Sequence, residues 1–106
     1  MEEGKLAKAE HLCRSFLQKH PRNIEGMRLL ADLGVKTNVL DDAEFVLESA
    51  LAFEPDNKLV RFDYMNVLYK RQRFELSMAQ AQVLLDAEPD NHKYRFAYAN
   101  QCVATH

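Results

Sequence analysis

Three prolines, Pro21, Pro55 and Pro89, recur every 34 residues, and each is followed two positions later by an asparagine, Asn23, Asn57 and Asn91. The local strings read HPRN, EPDN and EPDN. A fixed period of this kind limits the fold severely, because each unit must be one supersecondary element stacked on its neighbours. Proline cannot continue a helix and pushes the preceding residue out of the α region, so helices end at about His20, Glu54 and Glu88. Asparagine is a strong N-cap, its side chain accepting a hydrogen bond from an orphaned backbone N–H. Each unit therefore reads as helix end, proline turn, capped helix start.

Apolar residues repeat with the same step. Ala9, Leu12, Cys13, Phe16 and Leu17 occupy i, i+3, i+4, i+7 and i+8, the pattern of one helix face. One period later stand Ala43, Val46, Leu47, Ala50 and Leu51, and then Ser77, Gln80, Ala81, Leu84 and Leu85. A second stripe runs Met27, Leu30, Ala31, Gly34, then Arg61, Tyr64, Met65, Leu68, then Arg95, Tyr98, Ala99, Cys102. Two alternating helices per period account for the chain and predict helices at about 5–19, 24–37, 40–53, 58–71, 74–87 and 92–105.

Within each helical pair a triplet marks the turn: Gly4-Lys5-Leu6, Asn38-Val39-Leu40 and Gln72-Arg73-Phe74. Its first residue is placed to take the left-handed C-terminal cap, natural for Gly and Asn and costing Gln72 on the order of 1 kcal/mol. Its third residue, large and apolar, is placed to plug the corner. With only three glycines and three prolines, the chain lacks the punctuation of an all-β protein. Its 47% hydrophobic and 28% charged residues favour folding over disorder.

A helix–turn–helix unit of this length, with small residues at the crossing and a closing proline, resembles the tetratricopeptide repeat. The family's small residue of the second helix falls on Ala9, Ala43 and Ser77. Its large residue after the turn falls on Leu6, Leu40 and Phe74, and its proline on Pro21, Pro55 and Pro89. The chain departs from the pattern where a tryptophan is usual (Met27, Arg61, Arg95) and where a glycine is usual (Ala31, Met65, Ala99). The resemblance covers the whole sequence and implies an all-α fold, a right-handed α–α superhelix of about six antiparallel helices. In that register 1–106 is one domain. Residues 1–22 supply the second helix of a partial repeat, 23–56 and 57–90 are full repeats, and 91–106 supply a first helix. Solenoids end in polar caps; none is visible, so the expectation is a fragment of a larger protein.

In this family the first helices of successive repeats line a concave groove that holds a peptide or a partner's helix. The side of those helices that differs from the buried stripe carries Arg28, Asp32 and Val35, then Phe62, Asn66 and Tyr69, then Phe96, Asn100 and Val103, each at i, i+4, i+7. The expected peptide-binding residues are Arg28, Asp32, Phe62, Asn66, Tyr69, Phe96 and Asn100. Carboxamides can both donate to and accept from a peptide main chain, and aromatic rings offer rigid apolar anchors. The alternative is that the phenylalanines pack adjacent helices and the asparagines face water. Some family members grip a carboxylate with lysine, arginine and asparagine. Asn66, Asn100, Lys70 and Lys93 match that clamp in part, but Phe62 and Val103 beside them and the repulsive Asp32 argue against it.

Other chemistry finds no support. Net charge is −2, giving no basic footprint for nucleic acid. No apolar run spans a bilayer and the acidic N-terminus is not a signal peptide, so the expectation is a cytoplasmic protein with no membrane partner. His11, His20, His92 and His106 form no i, i+4 pair with a histidine or cysteine, and the three glycines form no phosphate loop. Asp41 and Asp42 open a helix, where negative charge suits the dipole. No catalytic residue, metal or cofactor is therefore expected. Cys13 and Cys102 read either as a disulfide or reactive thiol, or as small apolar side chains on helical stripes.

The functional expectation is a protein–protein interaction module. Two alternatives stand beside it. One is a non-catalytic repeat region attached to an enzyme, since AEHLCRSFLQKHPRNIEGMRLLADL is loosely similar to repeat regions of bacterial sulfotransferases. The other is homodimerisation through the uncapped end helices.

Overall fold

The prolines do break the helices. The computed structural model describes residues 2–105, and the side chains of all of these except 2, 3, 6, 104 and 105. It contains α1 (Glu2–Lys19), α2 (Ile24–Lys36), α3 (Leu40–Phe53), α4 (Lys58–Lys70), α5 (Phe74–Ala87) and α6 (His92–Thr105), with no strand among the described residues.

The capping chemistry repeats as the sequence implies. Asn23 Oδ1 accepts from the Gly26 N–H at 2.7 Å and Asn57 Oδ1 from Val60 at 3.1 Å. Asn91 Oδ1 accepts from both Lys93 and Tyr94, at 3.0 and 3.2 Å. The turns after α2 and α4 are Schellman motifs. Asn38 and Gln72 both sit at φ 62°. Around them Val39 N–H donates to Gly34 O at 2.7 Å and Asn38 N–H to Val35 O at 3.1 Å. The second turn copies this with Arg73 to Leu68 at 2.9 Å and Gln72 to Tyr69 at 3.0 Å. Gly34 matters for approach: a Cβ there would meet Val39 O at 3.2 Å and Ala43 Cβ at 3.3 Å.

The chain forms two compact units, Met1–Asp56 and Asn57–His106. In the first, α2 packs against both α1 and α3. Its core joins Cys13, Leu30 and Leu33, flanked by Ala9, Leu17 and Val46. Both cysteines are free, and Cys13 donates its thiol to Gly26 O at 3.2 Å. Burial pushes that thiol's pKa up, with Arg14 acting the other way, which favours the protonated thiol that packs and donates to Gly26 O.

In the second unit α5 lies against both α4 and α6, around Met65, Ala81, Leu84 and Tyr94. Ser77, at the small-residue position, is fully buried and donates to Met65 O at 2.9 Å. A larger side chain there would hold α4 and α5 apart. Arg61, on the stripe, is half-buried and bonds Gln80. Lys58 Nζ meets Glu88 Oε2 at 2.8 Å, tying the start of α4 to the end of α5.

Several expectations are corrected. Gly4 makes no turn: it lies within α1, and no described glycine has a positive φ. Helical geometry is open to glycine at about 1 kcal/mol relative to alanine, so Glu2–Gly4 extend the helix instead. The corner position of Leu6 lies outside the described side chains. Leu12 and Phe16 are exposed although their spacing puts them on the stripe. Among the described residues α1 packs mainly against α2, which covers the narrow line Ala9, Cys13, Leu17. On α6, Arg95 and Ala99 are exposed while Tyr94 and Gln101 are buried. The face of α6 that meets α5 is displaced by about one residue from the expected stripe.

Candidate functional site

The exposed side of the second unit carries a concavity of about 510 Å³. From α4 it takes Phe62, Asn66 and Tyr69, one helix face at i, i+4, i+7. From α6 it takes Phe96, Asn100 and four further residues, His92, Lys93, Ala97 and Gln101. Five of the seven residues expected on a binding groove thus share one surface. The other two, Arg28 and Asp32, belong to α2 of the first unit, whereas the concavity is built wholly from the second. Asp32 is engaged there by Lys36 at 3.0 Å. Val103 is exposed but does not line the concavity.

Aromatic rings give the surface its apolar character. Phe96 is 70% exposed, far more than a packing role requires. Phe62 is half-buried, tilted against Tyr94 at 5.7 Å between centroids. Tyr69 makes an edge contact with Phe74 at 5.4 Å. Phe62 and Tyr69 are therefore fixed by neighbours on their inner sides, while Phe96 stands free of any ring contact among the described residues.

The polar groups are distinct in kind. Asn66 and Asn100 are exposed, each with two donors and an acceptor. Lys93 holds its ammonium 4.4 Å above the Phe62 ring, a cation–π contact. His92 and Lys93 lie in the first turn of α6, which has no acidic residue. The Lys93 cation there opposes the helix dipole and adds local positive charge although the chain is net −2. No carboxylate lines the concavity. Gln101 is the most deeply buried lining residue, 3% exposed, and no donor among the described residues reaches its Oε1.

Of the partial clamp set, Asn66, Asn100 and Lys93 line the concavity and Lys70 does not. His92 and Gln101 are lining residues that groove spacing misses. Gln101 stands one and two periods after Val67 and Leu33, both apolar and buried in the structure, so only burial marks it out. His92 has no signal beyond its place after the Asn91 cap.

The sequence model of the tetratricopeptide repeat matches residues 40–100, more than half of the chain. The chain belongs to the tetratricopeptide repeat family. This repeat fold recurs in solved structures. MamA AMB-1 superposes with a TM-score of 0.82 at 22% identity, covering 98% of this chain and 62% of that one. MamA MSR-1 gives 0.77 at 23% identity, covering 94% and 57%. A K341M mutant of an O-GlcNAc transferase from Thermobaculum terrenum gives 0.77 at 27%, covering 97% of this chain but 19% of the transferase. The chain thus spans about three fifths of the MamA structures it resembles. No curated protein sequence matches it.

Tetratricopeptide repeats are generally non-catalytic, and membership of the family makes this chain a protein-interaction module in that general sense. Among the described residues, no group of three or more His, Cys, Asp or Glu side chains could hold a metal ion, and no helix is long and apolar enough to cross a membrane.

Proposed function

We propose that the chain captures a peptide or a partner's helix in the concavity of its second unit. In this reading Phe62, Tyr69 and Phe96 act as apolar anchors, and Asn66 and Asn100 as hydrogen-bonding groups. The observation that carries it is the pairing of a 70% exposed Phe96 with exposed carboxamides on one hollow surface. A large ring left in water loses the stabilisation of burial, about 25 cal/mol per Å² of apolar area, and recovers it when a partner covers it. The repeat boundaries 1–22, 23–56, 57–90 and 91–106 belong to the same reading, with Arg28 and Asp32 as its groove residues on the first unit.

The test is selection of a random linear peptide library on the immobilised chain, followed by binding of the enriched peptides to Phe96→Ala and to Asn66→Ala/Asn100→Ala. Both variants should keep the helical circular dichroism of the parent, since the substituted side chains are exposed, and should bind about tenfold more weakly or worse. Undiminished binding by both would remove the concavity from the function. A second reading, a non-catalytic repeat region attached to an enzyme, is favoured by the transferase neighbour, in which a comparable stretch is a fifth of the chain. That neighbour is an O-GlcNAc transferase, not a sulfotransferase, and the two readings are compatible.

A further inference from the structure

Gln101 is anomalous within the repeat. Leu33 and Val67, its counterparts two periods and one period earlier, are 5% and 2% exposed and wholly apolar. Gln101 is equally buried, yet its Oε1 has no hydrogen-bond partner among the described residues. A buried acceptor without a donor destabilises the free chain, and native structures hold few such groups. A leucine would satisfy the packing at that register position without the penalty. Unlike Leu33 and Val67, Gln101 lines the concavity.

We infer that Gln101 is the concavity's recognition residue, accepting a main-chain N–H from a peptide bound in extended conformation. This rests on the peptide-binding reading and narrows it. A cationic donor is disfavoured because Lys93 lines the same hollow and no carboxylate does, so the donor is a neutral N–H or O–H, of which a peptide main chain supplies only the N–H. A bound helix cannot supply it beyond its first turn, because its remaining N–H groups are spent on its own carbonyls. An extended strand of peptide presents its main-chain N–H groups free. Oε1 is buried and is reached through a rotamer step of Gln101 itself or of the exposed side chains beside it, the latter taking picoseconds to nanoseconds. Gln101 thus trades stability of the free chain for selectivity, as functional sites commonly do.

The deciding comparison is between the parent chain and Gln101→Leu, with Gln101→Met as a second variant should leucine disturb the fold. Each is melted alone and titrated with a synthetic peptide selected on the parent chain. Copies of that peptide methylated at one backbone nitrogen at a time are titrated as well. Gln101→Leu is expected to melt about 4–8 °C higher and to bind about tenfold more weakly. One methylated position should weaken the parent about tenfold and leave Gln101→Leu unchanged. If a folded variant binds as tightly as the parent, or suffers the same loss from every methylation, the inference is overturned. Loss of binding in Phe96→Ala with retention in Gln101→Leu would remove only the role of Gln101. Retention in all variants, or a library that yields no enriched peptide, would remove the peptide-binding reading with it.

Discussion

Gln72 holds its backbone at φ 62°, the left-handed region that costs a residue bearing a Cβ roughly 1–2 kcal/mol. The turn tolerates this because Arg73 and Gln72 donate to Leu68 and Tyr69 and close the end of α4. Asn38 stands at the same angle one period earlier, but asparagine visits the left-handed region more readily. Gln72→Gly is therefore expected to stabilise the chain by about 1 kcal/mol, and Asn38→Gly by clearly less. Thermal unfolding of the two variants beside the parent checks the order; a destabilised Gln72→Gly would mean that the Gln72 side chain makes a contact worth more than the strain. At this scale the sequence is informative where chemistry is local. The left-handed turns and the asparagine caps follow from covalent geometry and hydrogen bonding within a few residues. Gln101 was not legible by the same route, because a glutamine on a helix is ordinary until its burial is known.

At the scale of elements, α6 links the capping chemistry to the concavity. Asn91 accepts from Lys93 and Tyr94 and donates to Glu88 at 3.1 Å, so it fixes where α6 begins and how its first turn is presented. That turn carries His92 and Lys93 into the hollow. Asn91→Ala is expected to cost about 1 kcal/mol and to lower amide-exchange protection at Lys93 and Tyr94 before the rest of the unit. Hydrogen exchange resolved by residue tests this; protection lost uniformly across α4–α6 would assign the cap a global role instead. The boundaries of five helices were readable to within a residue, since proline, the left-handed turns and asparagine mark them chemically. The buried faces were less so. Spacing names a stripe, but which part of it is covered depends on the neighbouring helix. Leu12 falls on the expected stripe yet lies outside, and the sets Gly26, Val60, Tyr94 and Leu33, Val67, Gln101 fall off it although all six are buried. Five of the residues expected on a groove line the concavity because they sit off the stripe on helices that flank a common partner, α5. Arg28 and Asp32 obeyed the same spacing on α2, in the other unit.

For the whole molecule, 14 basic and 16 acidic residues leave little net charge to drive unfolding by self-repulsion near neutral pH. The pH dependence of stability then reflects particular pairs, and Lys58–Glu88 is the clearest. The Glu88 carboxyl is held below its ordinary 4.5, first by the hydrogen bond from Lys58 and next by that from Asn91. A depressed carboxylate contributes stability above its unfolded-state pKa and loses it as pH falls through the folded value. Lys58 is raised from its ordinary 10.5, chiefly by the same hydrogen bond. Its contribution is complete below the unfolded pKa and is lost as pH rises through the folded one. The pair therefore supports a plateau across neutral pH with an acid limb beginning near the ordinary carboxylate range. Both side chains are partly in water, 45% and 39% exposed, so the limb is shallow and salt flattens it further. Glu88→Gln should lower the melting temperature slightly at neutral pH and converge with the parent in acid, where the parent's carboxyl is also uncharged. Melting curves collected from neutral pH down to about pH 3 at low salt decide it. A constant offset between the two proteins over that range would show that Glu88 stabilises through neutral hydrogen bonding at the end of α5, and that the charge pair contributes nothing.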